Sequence, residues 1–168
     1  MRDTKILHCL FSLYLFITGI LSLFSVAVNI FQNGIYGFFW ILEPVLITII
    51  IVTIVNNFKI LKSLSAISSY ALLTNAIINI IQVINVSFDG FQFKFNQGWQ
   101  TTVYFNVENS TRKVTCGAYF QHFTCFFNIK FIDSSYSVVG LNLIPCLLFL
   151  FYYHWYKKTE IRKENFHH

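Results

Sequence analysis

Glu43 is the only ionisable carboxylate inside an apolar run of this chain, and Pro44 follows it directly. If that run is a membrane helix, a carboxylate there could bind an ion or relay a proton. Alternatively, Glu43 lies near the interface and reaches water, or a neighbouring helix satisfies it. The apolar runs contain no second charge that could pair with Glu43. This favours a carboxylate that reaches water or bonds to a neighbouring helix, but an ion or proton site stays open.

A set of polar side chains recurs along a later apolar run at steps of seven, four and three residues, which places them on one face of a helix. The set is Ser68, Asn75, Asn79 and Gln82. Such a face could line a pathway or bind another membrane protein. It could also form hydrogen bonds between helices of one bundle, which is the simpler interpretation.

The polar insert between the third and fourth runs carries two cysteines, Cys116 and Cys125. We expect a disulfide between them, because small loops exposed to an oxidising compartment are often closed in this way. With His122 they offer only three candidate ligands and no paired C-x-x-C spacing, so no metal site is predicted. The insert also contains Asn109-Ser110-Thr111, which predicts N-glycosylation of Asn109.

No catalytic pattern occurs in the chain: a Gly-rich phosphate loop, H-E-x-x-H and G-x-S-x-G are all absent. We therefore predict a protein that is not an enzyme and that needs no cofactor. The net charge of +5 does not indicate nucleic-acid binding, since the basic residues gather at the ends of the apolar runs rather than in one stripe.

Four apolar runs must position these residues, at about 6–31, 37–55, 64–86 and 136–156. Each approaches the roughly 20 residues that cross a bilayer as a helix. The chain is 55% hydrophobic and 11% charged, whereas soluble domains carry about 25% charged residues. The predicted fold is therefore an all-α membrane protein, one domain over 1–168, with four transmembrane helices. Residues 87–135 form a disulfide-closed outer loop in which short strands are plausible but no regular sheet is expected.

The distribution of basic residues predicts an orientation, because Lys and Arg favour the cytoplasmic side. Twice as many lie on the side of the termini as on the side of the insert. The first group is Arg2, Lys5, Lys59, Lys62, Lys157, Lys158, Arg162 and Lys163, and the second is Lys94, Arg112, Lys113 and Lys130. Both termini are thus predicted to be cytoplasmic, in the plasma membrane or a secretory-pathway membrane. The cysteine pair and Asn109 then face outside, as their chemistry requires.

Three segments resemble the membrane-spanning four-domain subfamily A, whose founders are a B-lymphocyte surface antigen and the IgE-receptor beta chain. They are 35–40 at the start of the second run, 56–64 between the second and third, and 77–86 at the end of the third. The resemblance covers about residues 6–156 and implies four spans with a short first outer loop and a longer second one. Tetraspanins share this topology and are the second family considered.

These observations predict a small accessory or scaffold subunit that binds other membrane proteins laterally and through its outer loop, within a homo- or hetero-oligomer. Such a subunit could modulate a receptor or channel complex. The alternative is an oligomeric ion channel or transporter that uses Glu43 and the polar face of the third helix.

Overall fold

The computed structural model describes residues 2–33, 39–63, 67–88, 91–130 and 136–164. These residues form helices and a sheet in chain order: α1 Arg2–Asn33, α2 Phe39–Lys62, α3 Ser69–Val83, β1 Ile84–Phe88, β2 Phe91–Glu108, β3 Val114–Lys130, β4 Tyr136–Asn142 and α4 Leu143–Glu164. The all-α prediction is therefore wrong. A four-stranded antiparallel sheet occupies most of the insert that was expected to be a loop.

Parts of two predicted spans are strands, and in the first of them apolar and polar residues alternate. Ile84–Phe88 reads apolar, polar, apolar, polar, apolar, and its burial alternates in step. Period-two patterning with β-branched residues favours a strand over a helix. Tyr136–Asn142 forms β4, so α4 begins only at Leu143, with Pro145 in its first turn, where a missing N–H costs little.

The prediction of four transmembrane helices is wrong as well. Among the described residues, only two helical stretches are long and apolar enough to cross a membrane, Lys5–Val28 in α1 and Pro44–Lys62 in α2. Helix α3 has 15 residues, which at 1.5 Å per residue gives roughly 22 Å, less than a hydrocarbon core of about 30 Å.

The sheet closes on itself. Its strand order is β1-β4-β2-β3, and β1 also pairs with β2. Strand β2 meets β1 at Phe91–Phe93 and meets β4 at Thr102–Glu108. To reach both partners, β2 must curl between these segments. A register shift lies between Gly98 and Gln100, and Gly98 has a φ of +112°, which only glycine adopts readily.

Two apolar clusters form the core, and the second of them joins the sheet to the helices. The first is built from Leu15, Ile60, Leu72, Leu148 and Tyr152, and it holds the four helices together. The second packs Phe95 of β2 against α1 and α2 through Val26, Leu46 and Ile50. The α1–α2 pair therefore contacts helices along one half of its length and the sheet along the other half.

The inward stripes of α1 and α2 are rich in polar residues, while their outward sides are apolar. Helix α1 buries Ser12, Thr18 and Ser22 and exposes Leu13, Ile17, Ile20 and Phe24. Helix α2 buries Thr53 and Asn57 and exposes Val45, Ile51, Val55 and Phe58. When the buried apolar residues are included (Leu15 and Val26 in α1, and Leu46, Ile50 and Ile60 in α2), the buried positions recur at three- and four-residue steps, which aligns them on one side of each helix.

Candidate functional site

A reciprocal amide pair links α2 to α3 at the centre of the helices. Asn75 Nδ2 donates to Asn57 Oδ1 at 3.0 Å, and Asn57 Nδ2 donates to Asn75 Oδ1 at 3.3 Å. Asn57 Nδ2 also donates to the Thr53 carbonyl at 2.8 Å. Tyr152 OH lies 3.5 Å from Asn57 Oδ1 and 3.4 Å from Ser12 Oγ, so this cluster contacts all four helices.

The predicted polar face of α3 is present, and three of its four members point into the protein. Asn75, Asn79 and Gln82 are each 1% exposed. Asn79 donates to the Asn75 carbonyl within α3, and Gln82 Oε1 accepts the Gln97 backbone N–H of β2 at 2.7 Å. Ser68 lies at the exposed N-cap of α3. The Asn57–Asn75 pair joins two helices, whereas Asn79 bonds within α3 and Gln82 bonds to the sheet. A role of this face in binding a partner or lining a pathway stays a prediction.

Glu43 lies within α2, but its side chain is outside the part of the chain that the structure describes. Its role as an ion or proton site therefore stays a prediction.

The sheet carries a second buried amide cluster, which joins β2 to β4. Asn142 Nδ2 donates to Asn96 Oδ1 at 2.7 Å, and Asn142 Oδ1 accepts the Thr101 backbone N–H at 3.2 Å. Gln100 Nε2 donates to both Thr102 Oγ1 and Tyr119 OH at 2.8 Å. Asn96, Gln100 and Asn142 are all 0% exposed. These residues hold the sheet closed where β2 curls.

A cavity of about 280 Å³ opens on the inner face of the closed sheet. Most of the residues that line it are polar in type, and they come from all four strands: Asn85, Val86, Ser87, Lys94, Thr102, Tyr104, Asn106, Tyr119, Val138 and Gly140. Asn85 is 4% exposed, and neither its Nδ2 nor its Oδ1 has a hydrogen-bond partner. The inner face therefore combines burial with unused hydrogen-bonding capacity.

The sequence contained a signal for this cavity that was not used. From Thr102 to Val107, polar and apolar side chains alternate, and the polar ones all fall on the face that lines the cavity. Alternation alone predicts a two-faced strand. It does not say which face is buried, and a polar face is ordinarily assigned to water. Because β1 pairs with both β4 and β2, the sheet closes on itself and its polar face points inward instead.

The predicted disulfide is wrong: Cys116 and Cys125, both described, are free thiols, as are Cys9 and Cys146. Both lie on β3, nine positions apart. At about 3.3 Å per residue their Cα atoms are separated by roughly 30 Å along the strand, whereas a disulfide needs less than about 7 Å. Cys116 is exposed. Cys125 packs against α1 and α2, and burial raises the pKa of its thiol, although the Ser22 hydroxyl lowers it in part.

Asn109 lies in the exposed turn between β2 and β3, where its Oδ1 accepts a hydrogen bond from Ser137 Oγ at 3.0 Å. Its glycosylation stays a prediction, in an accessible position. Among the residues whose side chains are described, no group of three or more His, Cys, Asp or Glu could hold a metal ion.

The protein is thus a closed antiparallel sheet inserted between two helices and packed on a helical hairpin, with amide clusters in its interior. No protein-family model, no curated protein and no solved structure matches the chain. The resemblance to the four-domain subfamily stays a prediction, and the proposals below rest on the fold and its polarity alone.

Proposed function

We propose that this chain is a membrane-anchored accessory protein that binds another membrane protein side by side, without catalysing a reaction. The observation that carries the proposal is the reversed polarity of the molecule. The side chains that are fully buried include the amides Asn57, Asn75, Gln100 and Asn142, at 0–1% exposure. Large apolar side chains face outward, such as Phe24 at 69% and Leu147 at 67%.

Reversed polarity supports a membrane environment. In water, amides are mostly exposed and Leu, Ile and Phe are the residues most often buried. In lipid, outward apolar side chains cost nothing, while polar side chains bond to one another between helices. The two apolar stretches in α1 and α2 supply the anchor.

The basic residues support one orientation of this anchor. Lys5 begins the apolar stretch of α1 and Lys62 ends that of α2, so both lie at one end of the α1–α2 pair. The end of α4 joins them there, since the rings of His8 and Trp155 lie 4.8 Å apart and Lys158 lies 4.8 Å from the Trp155 ring. That end is cytoplasmic by the positive-inside rule. The sheet then packs against the half of the pair that is farther from the cytoplasm.

The partner-binding surface is the outer sheet face, which we define by its exposed apolar side chains: Ile84, Phe88, Phe105, Phe120, Val139 and Leu141. It is continuous with the side of β2 where Phe95 is covered by α1 and α2, so the chain covers one part of an apolar face and leaves the rest open. Within the described part of the chain, strand β3 pairs with β2 alone. Its remaining backbone groups would be unsatisfied against lipid, whereas a protein neighbour can bond to them.

The test compares a change on this face with a matched change elsewhere. Phe105→Arg lies on the outer sheet face, and Ile161→Arg replaces an equally exposed apolar residue near the end of α4, at 57% against 54% exposure. Complex size is measured in native membranes solubilised with a mild detergent. We expect the wild type and Ile161→Arg to migrate in a complex larger than one chain, and Phe105→Arg to migrate as a single chain.

Three outcomes are distinguishable in this experiment. A complex that contains two or more differently tagged copies identifies the partner as the chain itself, and one that contains a single copy indicates a different protein. If the wild type is a single chain under all mild conditions, or if both arginine variants assemble normally, the proposal is wrong.

A further inference from the structure

We propose that the cavity inside the sheet binds a small organic acid, with one carboxylate and a hydroxyl or ammonium group of its own. This site is separate from the outer sheet face, and binding at the two surfaces can be tested independently.

Asn85 is the first observation that points to a ligand. Its amide is 4% exposed and unpartnered at both polar atoms, and it lines the cavity. Leaving a buried polar group without a hydrogen bond is costly, and native proteins rarely tolerate it. The Asn85 amide can supply two donors and one acceptor. A ligand with both kinds of group would satisfy them.

Hydrogen bonds from Gln100 leave the protons of two hydroxyls at the cavity available for a ligand. Its Nε2 donates one hydrogen bond to Thr102 Oγ1 and another to Tyr119 OH, each at 2.8 Å. Because each hydroxyl already accepts a hydrogen bond, its own proton is free for another acceptor. Both hydroxyls line the cavity. Together with the Asn85 amide, they present converging donors, which suits the two oxygens of a carboxylate.

Charge favours a ligand with a carboxylate over one without. Lys94 lines the cavity, and none of the lining residues that the structure describes is Asp or Glu. Among the residues whose side chains are described, Lys94 makes no ion pair within 4 Å. Its single ammonium balances one negative charge. The unpartnered carbonyl oxygens of Asn85 and Asn106 would repel a dianion such as phosphate, and they match a ligand hydroxyl or ammonium instead.

Size restricts the ligand to a small molecule. A volume of about 280 Å³ lies at the lower limit of typical ligand sites, roughly 300–1,000 Å³. Gly140 leaves the space open on the β4 side, since a Cβ there would lie 2.9 Å from Thr102 Cγ2. The rings of Tyr104 and Tyr119, whose centroids are 5.9 Å apart, supply an apolar wall for the carbon skeleton.

Isothermal titration calorimetry on the full chain in detergent tests the site. The probes are lactate, 2-hydroxyisocaproate, alanine and glutamine as acids with a donor, propionate as an acid without one, methyl lactate as an uncharged counterpart, and inorganic phosphate. We expect saturable binding of at least one donor-bearing acid. If that acid is lactate, propionate, methyl lactate and phosphate should bind at least about tenfold more weakly, because a hydrogen bond to a charged group contributes about 1.5–3 kcal/mol.

Three variants connect that binding to the cavity. Lys94→Gln should weaken acid binding about tenfold or more, while Lys113→Gln, the same charge change near the exposed β2–β3 turn, should leave it unchanged. Asn85→Leu should abolish binding without lowering the melting temperature of the free protein, because it removes an unsatisfied amide.

Several results would overturn the proposal. They are the absence of binding by every donor-bearing acid, equal binding of lactate and methyl lactate, tighter binding of phosphate than of any acid, and equal losses in Lys94→Gln and Lys113→Gln. None of them bears on whether the outer sheet face binds a protein.

Discussion

The amide pair between α2 and α3 provides the sharpest prediction for stability. Asn75→Leu removes both hydrogen bonds of the pair, at 3.0 and 3.3 Å. Asn57 keeps its bond to the Thr53 carbonyl, but its Oδ1 retains only the 3.5 Å contact with Tyr152 OH. Two net hydrogen bonds at about 1 kcal/mol each give a loss of about 2 kcal/mol in the free energy of unfolding. Averages for membrane proteins would give roughly 1 kcal/mol.

The double variant Asn57→Leu/Asn75→Leu distinguishes a specific pair from two separate packing effects. Because it leaves no orphaned amide, it should be about as stable as either single variant, although it carries both substitutions. The coupling energy of the cycle should be about 2 kcal/mol, with each single variant lowering the melting temperature in detergent by roughly 4–8 °C, at about 2–4 °C per kcal/mol.

Asn79→Leu is the matched control, since Asn79 donates to a backbone carbonyl of its own helix. Its coupling to Asn57→Leu should be near zero. If the two leucine substitutions at Asn57 and Asn75 are additive, or if Asn79→Leu couples to Asn57→Leu as strongly, the amide pair does not link α2 to α3 as described.

Three further predictions concern the sheet. Cys116 should react with a maleimide much faster than Cys125 in the native protein, because Cys116 is exposed and burial raises the pKa of Cys125; equal rates, measured by mass spectrometry, would contradict the packing of β3. Asn109→Gln should remove a glycan shift on gels after expression in a eukaryotic cell, and an unmodified wild-type chain would argue against an outward-facing sheet. Gly98→Ala should lower the free energy of unfolding by about 1–3 kcal/mol, because Gly98 has a φ of +112° and a Cβ there would lie 2.5 Å from Tyr14 OH. Thermal melting measures this loss, and unchanged stability would mean that β2 does not turn at Gly98.

The polar face of α3 was predictable because helical periodicity depends on local sequence alone. Asn75, Asn79 and Gln82 fall on one side whatever they contact. Their partners were not predictable, because Asn57 lies in the segment taken for a cytoplasmic turn and Gln97 in the insert. Which residues meet across elements depends on tertiary packing.

The wrong predictions have physical reasons. Averaging hydropathy over about 20 residues merged Ile84–Phe88 with α3 and Tyr136–Asn142 with α4, since each strand has an apolar side. The alternation inside Ile84–Phe88 was the better signal. The disulfide was inferred because both cysteines lie in the insert on the predicted outer side and enclose only eight residues, which would bring them together in a loop. In an extended strand the same separation holds them far apart.

The central claim is that a polar interior and an apolar exterior suit this chain to a membrane. Extraction of membranes from cells expressing the full chain, first with alkaline carbonate and then with detergent, tests it most directly. We expect the chain to stay in the carbonate pellet and to dissolve only with detergent. Release by carbonate, followed by purification as a stable detergent-free monomer, would contradict it.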